Sequence, residues 1–382
     1  MALKIAFLTT DNREPHKDYG AAEPYFGTAP AALLQGFEKF AHVNIHVVSC
    51  SQRQLKAPEK IAPNIWFHSL HVPKIGWLRT GYQGCIRAVR KCLKAIQPDI
   101  VHGQGTERDC AISGVFSGYP NVITVHGNMR LIAEINGARP FTFDWYAAKL
   151  ESFTLPKSNG VICITDYTRK AVAALARKTW VLPNAVDAGF FDIDRKPSPS
   201  PLILCVGNVT LRKNQNFFIR ALDNLKKQID LSVIFLGKAL PQDPYAQEFF
   251  ALLAQRPWCR FEGYASREQV KAYLARATVV ALPSLEDNCP MSVLEGMATG
   301  TPVVASKVGG VPELIVDRVT GLFCAPADAQ SIRDAIAAYL QDPQLAETIS
   351  RAAKKDALAR FLPERIAAKH LEIYQEVLQT NS

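Results

Sequence analysis

Two carboxylates eight residues apart, Asp287 and Glu295, are the clearest candidates for chemistry in this sequence of 382 residues. They lie in the segment ALPSLEDNCPMSVLEGMA, where an apolar run ends at Pro283 and Ser284. A helix is predicted to begin around Asn288–Pro290, because Asn is a favoured N-cap residue and Pro is tolerated at the first helical position. The pattern therefore predicts a strand that ends in an acidic loop and continues into a helix.

The start of that helix is a candidate anion site. The amides near Met291 and Ser292 would be unpaired donors at the positive end of the helix dipole, an arrangement that suits a phosphate. Glu295 lies one turn beyond Met291 on the same face, so the two acids could accept hydrogen bonds from hydroxyl groups at two places along one ligand. An alternative stays open, in which Asp287 is a helix-start acid and Glu295 a solvated face residue.

The elements that must position these residues alternate between strands and helices. Apolar runs such as KIAFLTT, DIVHGQG, LILCVG and TPVVAS lack alternation, as strands buried on both faces do, and amphipathic stretches separate them. This order predicts an α/β fold with parallel sheets. The segment 183–201, rich in Pro, Ser and Asp, divides the runs into two doubly wound domains facing one another across a central cleft. Ligands in such sheets bind beyond the carboxyl ends of the strands.

Composition excludes several classes of protein. Hydrophobic residues make up 48% and charged residues 21%, which is typical of a folded domain and not of a disordered chain. No apolar run reaches 18 residues, and the apolar stretch at the N-terminus is too short for a signal peptide, so we expect a cytoplasmic protein. The nine cysteines are scattered without a C-x-x-C pair. We therefore expect buried thiols and no metal site.

Several motifs agree in order and spacing with one known family. VLPNAVD followed by Phe190, VGNVTLRKNQNFFIRAL, the acidic segment above, GMATGTPVVASKVGGVPELI and TGLF cover the second half of the chain. Together they resemble the retaining glycosyltransferases of family 4, which have the GT-B fold. The resemblance implies a Rossmann-like acceptor domain over residues 1–185 and a Rossmann-like nucleotide-sugar domain over 186–362. It also implies that the last helix, within 363–382, crosses back onto the first domain.

The resemblance also implies roles for residues of the donor site. Glu295 matches the acid that binds the ribose hydroxyls, and Asp287 matches the acid that holds hydroxyls of the donor sugar, where the family usually has Glu. Lys213 matches the cation that contacts the diphosphate. Asn208 stands where the family has a second cation, an Arg, and can donate hydrogen bonds but brings no charge. Arg212 could supply that charge, although we expect it to point in a different direction from Lys213.

Two further residues come from the first half of the chain. His126 matches the histidine that faces the anomeric region of the donor, where we expect it to hydrogen-bond the sugar and not to act as a nucleophile. Gly27 matches a glycine of the first strand-to-helix loop, which lets the backbone approach the donor phosphate and the acceptor.

The activity that the resemblance implies is glycosyl transfer from a nucleotide sugar to an acceptor hydroxyl. A UDP- or GDP-sugar is the expected donor, as a substrate and with no cofactor. Lys213 and the helix amides would stabilise the charge of the departing diphosphate, so no metal ion is required. The acceptor could be a glycan, a lipid-linked molecule or a small molecule. Two alternatives stay open: a non-catalytic sugar-nucleotide-binding protein, and a sugar-nucleotide epimerase of the same architecture.

A basic stretch over residues 74–94 raises the possibility of a further partner. The net charge of the chain is +9, and in this stretch Trp77 and Tyr82 are interleaved with arginines and lysines. Such a face could rest on the anionic inner face of a membrane, although a solvated helix face is the more common origin of the pattern. Nucleic acid is not an expected partner, because no recognised binding module accompanies the charge. The sequence does not indicate an oligomeric state.

Overall fold

The computed structural model describes residues 2–380, and they form two compact units. The first unit runs to Asp187 and resumes at Pro363, whereas the second is continuous over Ala188–Leu362. The boundary implied by the resemblance noted in the sequence, after residue 185, lies two residues earlier. Each unit is an α/β domain built on one largely parallel sheet, so the predicted fold class is confirmed.

The first unit contains an eight-stranded sheet with the order β3-β4-β2-β1-β5-β6-β7-β8. All neighbours are parallel except β3 and β4, which pair antiparallel at one edge. The strands are β1 (Leu3–Leu8), β2 (Val43–Ser51), β3 (Lys60–Ala62), β4 (Ile65–His71), β5 (Ile100–Gln104), β6 (Asn121–Val125), β7 (Gly160–Cys163) and β8 (Thr179–Val181).

Helices cover both faces of this sheet, as its apolar strands require. Ile5 and Phe7 of β1 pack with residues of the second and last helices of the chain, and Ala6 and Leu8 pack with the third. The helices of this unit are α1 (Arg13–His16), α2 (Thr28–Glu38), α3 (Gln83–Ile96), α4 (Asp109–Val115), α5 (Met129–Ile135), α6 (Phe143–Thr154), α7 (Asp166–Val172) and α14 (Pro363–Thr380).

The second unit contains a six-stranded parallel sheet with the order β11-β10-β9-β12-β13-β14. The strands are β9 (Leu202–Val206), β10 (Ser232–Leu236), β11 (Cys259–Gly263), β12 (Val279–Leu282), β13 (Val303–Ser306) and β14 (Leu322–Cys324). The helices are α8 (Gln215–Lys226), α9 (Pro244–Ala254), α10 (Arg267–Arg276), α11 (Met291–Thr299), α12 (Ala329–Gln341) and α13 (Pro343–Arg360).

The strand order of the second unit fixes where a ligand should bind. The chain leaves β9 toward β10 on one side, and it later returns to place β12 on the other side of β9. The loops after β9 and β12 therefore diverge at a topological switch point, where open α/β sheets form a binding crevice. These loops carry Lys213 and Asp287, two of the residues singled out from the sequence.

The aromatic residues of the basic stretch lie inside the domain and not on its surface. Trp77 and Tyr82 are 5% and 2% exposed and belong to the apolar core beside α3. The indole nitrogen of Trp77 also donates a hydrogen bond to the Val72 carbonyl oxygen at 2.9 Å. The cations of α3 remain exposed without these aromatic rings, which accounts for the stretch as a solvated helix face. Among residues 2–380, no helix is long and apolar enough to cross a membrane.

Candidate functional site

Two loops are fastened together at the switch point of the second unit. The amide of Leu285, after β12, donates to the carbonyl oxygen of Arg212, after β9, at 2.8 Å. Asn214 strengthens this connection, because its side-chain amide donates to the carbonyl oxygen of Pro283 at 3.1 Å. The residue has φ 60°, a left-handed conformation that Asn tolerates better than most side chains. The main chain thus holds the cationic and acidic loops side by side.

Asp287 lies between two cations in this crevice. Lys213 donates from Nζ to Asp287 Oδ2, and Arg212 Nη1 lies 3.5 Å from Asp287 Oδ1. The backbone pairing of the two loops brings both cations to one carboxylate, where they approach different oxygens. Arg212 Nη1 also donates to the Glu286 carbonyl oxygen at 3.0 Å and to Glu286 Oε2 at 3.2 Å. Burial raises the pKa of Asp287, but Lys213 and Arg212 outweigh burial and lower the pKa below its usual value. Asp287 is ionised near neutral pH.

A glycine pair supports the Asp287 backbone from behind. The amide of Gly310 donates to the carbonyl oxygen of Asp287 at 3.0 Å. Gly309 has φ 54°, and a Cβ atom on it would lie 2.0 Å from the same oxygen. Only glycine fits a left-handed backbone pressed this closely against another main chain. The segment KVGGVPEL noted in the sequence thus has a physical role, which is to fix the acidic loop.

The helix after this loop begins later than the sequence pattern predicts. α11 starts at Met291, and Pro290, not Asn288, is its N-cap residue with φ −66° and ψ 119°. A proline disfavours helical geometry in the residue before it, which explains why Cys289 and Asn288 stay outside the helix. Within residues 2–380, the amides of Met291 and Ser292 have no hydrogen-bond acceptor. The expected pair of donors at the positive helix end is therefore present.

Glu295 is 1% exposed, so the interpretation of it as a solvated face residue is wrong. Arg267, the first residue of α10, donates from Nη1 to Glu295 Oε1 at 2.8 Å. The guanidinium carbon of Arg267 lies 4.5 Å from the ring centroid of Phe190. Sequence reasoning missed Arg267, because it precedes Glu295 by 28 residues and lies in no motif that we assigned.

Asn208 is exposed and lies two residues after the end of β9. Its side-chain oxygen accepts a hydrogen bond from the amide of Lys238 at 2.9 Å. Lys238 follows the neighbouring strand β10 and lies with its Nζ 5.2 Å from the ring centroid of Tyr264, which follows β11. The position after each strand, where ligands of such sheets bind, is the signal that could have identified Lys238 and Tyr264 in the sequence.

His126 and Gln104 meet in the first unit, at the carboxyl ends of β6 and β5. His126 Nε2 lies 2.7 Å from Gln104 Oε1, and Asn184 also hydrogen-bonds the ring. Burial lowers the pKa of His126 to about 4, against the opposing effect of Asn184. The imidazole is therefore neutral near pH 7 and can exchange hydrogen bonds without bringing a charge.

Gly27 lies in the same unit as His126, directly before α2. It is the N-cap residue of this helix, with φ −57° and ψ 155°. The structure thus divides the predicted site residues between the units. Gly27 and His126 belong to the first, and the second holds the others, which are Asn208, Arg212, Lys213, Asp287, Met291, Ser292 and Glu295.

The cysteines are free thiols, and all but Cys92 are buried. In the first unit, Cys50, Cys85 and Asp109 place one potential ligand atom each within 4.8 Å of one another. The carboxyl group of Asp109 accepts a hydrogen bond from Cys50. No other group of three such ligands is found among residues 2–380. The donor-site acids of the second unit are not part of this cluster.

Comparison with known families covers most of the chain. The model described as "Glycosyl transferases group 1" matches residues 189–356, and the model described as "Glycosyltransferase Family 4" matches residues 31–190. The chain is a family 4 glycosyltransferase of group 1. The family resemblance noted in the sequence is confirmed, and so is the class of enzyme that it implies.

Individual relatives agree with this family. The chain is 30% identical to an uncharacterised glycosyltransferase, MJ1607, of Methanocaldococcus jannaschii, over 47% of this chain and 45% of that protein. The structure is similar to sucrose-phosphate synthase of Thermosynechococcus elongatus, with TM-score 0.79, 20% identity and coverage of 99% and 100%. It is also similar to HepE of Anabaena in complex with UDP-glucose, with TM-score 0.73, 18% identity and coverage of 98% and 100%. The GT-B fold of this glycosyltransferase is thereby confirmed.

Proposed function

We propose that this glycosyltransferase transfers a sugar from a nucleoside-diphosphate sugar to an acceptor hydroxyl, with retention of configuration and without a bound metal ion. The observation that carries the proposal is the convergence of Lys213 and Arg212 on Asp287, just before the amides of Met291 and Ser292, which have no acceptor among residues 2–380. A UDP- or GDP-sugar is the proposed donor, bound as a substrate with no further cofactor. The UDP-glucose bound to HepE of Anabaena supports this class of donor, and family membership supports retention.

The cations and amides of the site can stabilise the negative charge that the reaction produces on the diphosphate. When the glycosidic bond to phosphate breaks, the diphosphate gains negative charge. Lys213, Arg212 and the amides of Met291 and Ser292 can stabilise that charge most strongly as it develops. The α11 dipole acts in the same direction. These groups supply the stabilisation that a metal ion would otherwise provide, which is why we propose a metal-independent reaction.

The two acids bind different parts of the donor in this proposal. Glu295 accepts hydrogen bonds from the ribose hydroxyls, and Asp287 accepts them from the donor sugar. Aspartate is one methylene shorter than the glutamate usual in the family, so the sugar would lie closer to α11. In the free protein Lys213 donates to Asp287. A bound diphosphate would compete with Asp287 for this cation.

The first unit supplies the acceptor side in this proposal. His126, held by Gln104 and Asn184, would hydrogen-bond the transferred sugar as a neutral ring. The loop that ends at Gly27 would contact the acceptor, which is a glycan, a lipid-linked molecule or a small molecule. We propose a cytoplasmic location, at the inner face of the membrane if the acceptor is lipid-linked.

Thermal unfolding with UDP, GDP, ADP and dTDP tests the donor class. A ligand at a hundred times its dissociation constant stabilises the unit that binds it by about 2.7 kcal/mol, which raises the melting temperature by several degrees. We expect one nucleotide to stabilise the wild type and to lose most of its effect in Lys213→Ala. The sugar nucleotide that contains the same base should then support transfer by the wild type. Lys213→Ala and Glu295→Ala should each abolish this transfer almost completely.

The control for this experiment is Lys226→Ala, which removes the surface ion pair with Asp230 in the same unit. This variant should bind and transfer like the wild type. Near-normal transfer by Lys213→Ala would contradict the site assignment, and loss of transfer in a metal chelator would contradict metal independence. Isomerised donor formed in the absence of acceptor would identify an epimerase instead.

A further inference from the structure

The residue that holds Glu295 is itself fixed by the local sequence. Arg267 follows Ser266, the N-cap residue of α10, and Ser266 and Gln269 form reciprocal hydrogen bonds between their side chains and backbone amides. This capping box sets the start of the helix. Arg267 therefore leaves the helix at a defined point, and its Nη1 donates to Glu295 Oε1 at 2.8 Å. The Glu295 side chain is 2% exposed and that of Arg267 33%.

An aromatic ring orients the guanidinium group. The Arg267 guanidinium carbon lies 4.5 Å from the Phe190 ring centroid, and Lys271 Nζ lies 5.5 Å from the same centroid. Phe190 is fully buried, so its ring is held in place. A planar guanidinium against a fixed ring keeps one orientation, which a flexible lysine would not do. The conspicuous Phe190 of the domain junction thus acts on the donor-site acid through Arg267.

Stability alone is a poor explanation for this arrangement. Arg267 Nη2 is buried and has no hydrogen-bond acceptor among residues 2–380. A buried donor without a partner is destabilising, and removing two charges from water offsets much of the attraction within a buried ion pair. An apolar pair of similar volume would serve packing at least as well. The geometry therefore points to a role in orienting Glu295.

We infer that Arg267 is a positioning residue that makes the donor site selective for ribonucleotides over 2′-deoxyribonucleotides. The inference rests on the proposed function, in which Glu295 accepts hydrogen bonds from the ribose. An ionised carboxylate offers about four lone-pair sites, so Glu295 can bind Arg267 and still accept from a ribose hydroxyl. Only a carboxylate with a fixed plane meets the 2′- and 3′-hydroxyls together. Without Arg267 the Glu295 carboxylate is free to rotate, so the 2′-hydroxyl no longer contributes to the affinity.

The test compares the affinities for UDP, GDP and their 2′-deoxy analogues by calorimetry. One charge-assisted hydrogen bond corresponds to about 10- to 100-fold in affinity, so we expect the wild type to prefer the ribonucleotide by about tenfold or more. In Arg267→Leu the ribonucleotide should weaken while the deoxy analogue stays nearly unchanged, so that the ratio falls to about twofold or less. If Arg267→Leu does not fold, Arg267→Gln replaces it in the test. This variant keeps a hydrogen-bond donor without the charge or the stacking, and it should also lose the preference for the ribonucleotide.

Two controls separate orientation from general damage. Arg256→Leu removes the bidentate ion pair with Asp223 elsewhere in this unit, and it should keep the wild-type ratio. Adding Arg267→Leu to Glu295→Gln should lower the ratio no further, because both changes remove one function. The inference is overturned if the Arg267 variants weaken both nucleotides equally or keep the ratio. A wild type that binds none of these nucleotides overturns the proposed function as well.

Discussion

At the scale of single residues, the resemblance noted in the sequence implies two departures from the family pattern. It implies aspartate in place of glutamate at position 287, and asparagine in place of arginine at position 208. The missing charge at Asn208 is offset locally, because Arg212 turns back toward Asp287 and Lys238 follows the adjacent strand. The crevice therefore keeps a cationic character although the usual arginine is absent.

The Lys213–Asp287 contact predicts a separation of binding from catalysis. Asp287→Asn removes the negative charge that competes with the diphosphate for Lys213 and Arg212. We expect UDP or GDP to bind as tightly as to the wild type or several-fold more tightly, while the transfer rate falls by about 10²-fold or more, since a hydrogen-bond acceptor for the sugar is lost. Calorimetric Kd and steady-state kcat measure the two effects.

Glu286→Gln is the matched control, because Glu286 also pairs with Arg212 at 3.2 Å but has no assigned role toward the sugar. Its transfer rate should stay within a few-fold of the wild type. If Asp287→Asn instead weakens diphosphate binding and leaves kcat unchanged, Asp287 organises the cations and does not hold the sugar.

The sequence predicts some of these residues and not others for a physical reason. Lys213 and Asp287 lie in loops that follow strands, and Glu295 lies one turn into the helix after Asp287, so their local sequence indicates their place at the sheet edge. Arg267 reaches Glu295 only through the packing of α10 beside α11, which local periodicity does not determine. The direction of Arg212 likewise depends on the pairing of two loops that are distant in the chain.

At the scale of elements, the return of α14 to the first unit depends on close helix packing. A Cβ atom on Gly36 of α2 would lie 2.1 Å from the carbonyl oxygen of Pro363, the first residue of α14. Further along, the Tyr374 hydroxyl hydrogen-bonds His102 Nδ1 of β5 at 2.6 Å. α2 and α14 thus approach each other closely at the start of α14, and a buried hydrogen bond joins the later part of α14 to β5.

Gly36→Ala should destabilise the first unit, although alanine is the better helix former by about 0.5–1 kcal/mol. The added methyl group forces the backbones of α2 and α14 apart, a change that costs about 1–3 kcal/mol. The matched control is Gly114→Ala in α4, where the added Cβ atom would meet nothing closer than 3.4 Å. Chemical denaturation should give a loss for the first variant and no loss for the second. Equal stabilities would show that α14 does not pack this closely.

Sequence patterns predict elements best where burial is uniform. The four apolar runs quoted from the sequence all form strands, which are β1, β5, β9 and β13, because strands buried on both faces have a distinctive composition. The patterns miss β3, whose three residues pair antiparallel at the sheet edge and include the exposed Lys60. They also begin α11 too early, since Asn288 resembles a cap while Pro290 holds the chain extended.

At the scale of the whole molecule, the histidines are distributed unequally. All eight occur in the sequence of the first unit, and none occurs in the sequence of the second. Burial lowers the pKa of both His126 and His370 to about 4, and it lowers the pKa of His102 well below its ordinary value. The pH dependence of the two units should therefore differ below neutral pH.

The sign of this dependence follows from proton binding. The unfolded chain takes up protons near pH 6.5, whereas the folded unit excludes them from these rings until about pH 4, so stability present above pH 6.5 is lost as the pH falls. For His370 alone the loss amounts to about 3 kcal/mol. Scanning calorimetry at about pH 7 and about pH 5, with and without nucleotide, measures both effects. Acid should lower the unfolding temperature of the first unit, and nucleotide should raise that of the second.

His370→Gln should reduce the acid shift, and replacement of the exposed His71 by Gln should leave it unchanged. If acid and nucleotide act on the same transition, either the nucleotide binds the histidine-containing unit or the two units unfold together. Either result would contradict the assignment of separate ligand and acid sensitivities.

The return of α14 also sets the order in which the protein can be completed on the ribosome. Residues 188–362 emerge as an uninterrupted domain and can fold as soon as they are free. The first unit, although it is synthesised first, lacks the partner of α2 until the residues after Pro363 appear. Apolar side chains of α2 such as Leu33 and Phe37 then lack their neighbours from α14 during most of translation. Nascent chains arrested before Pro363 should therefore attract chaperones at the first unit, and the second unit should be the first to reach its native state.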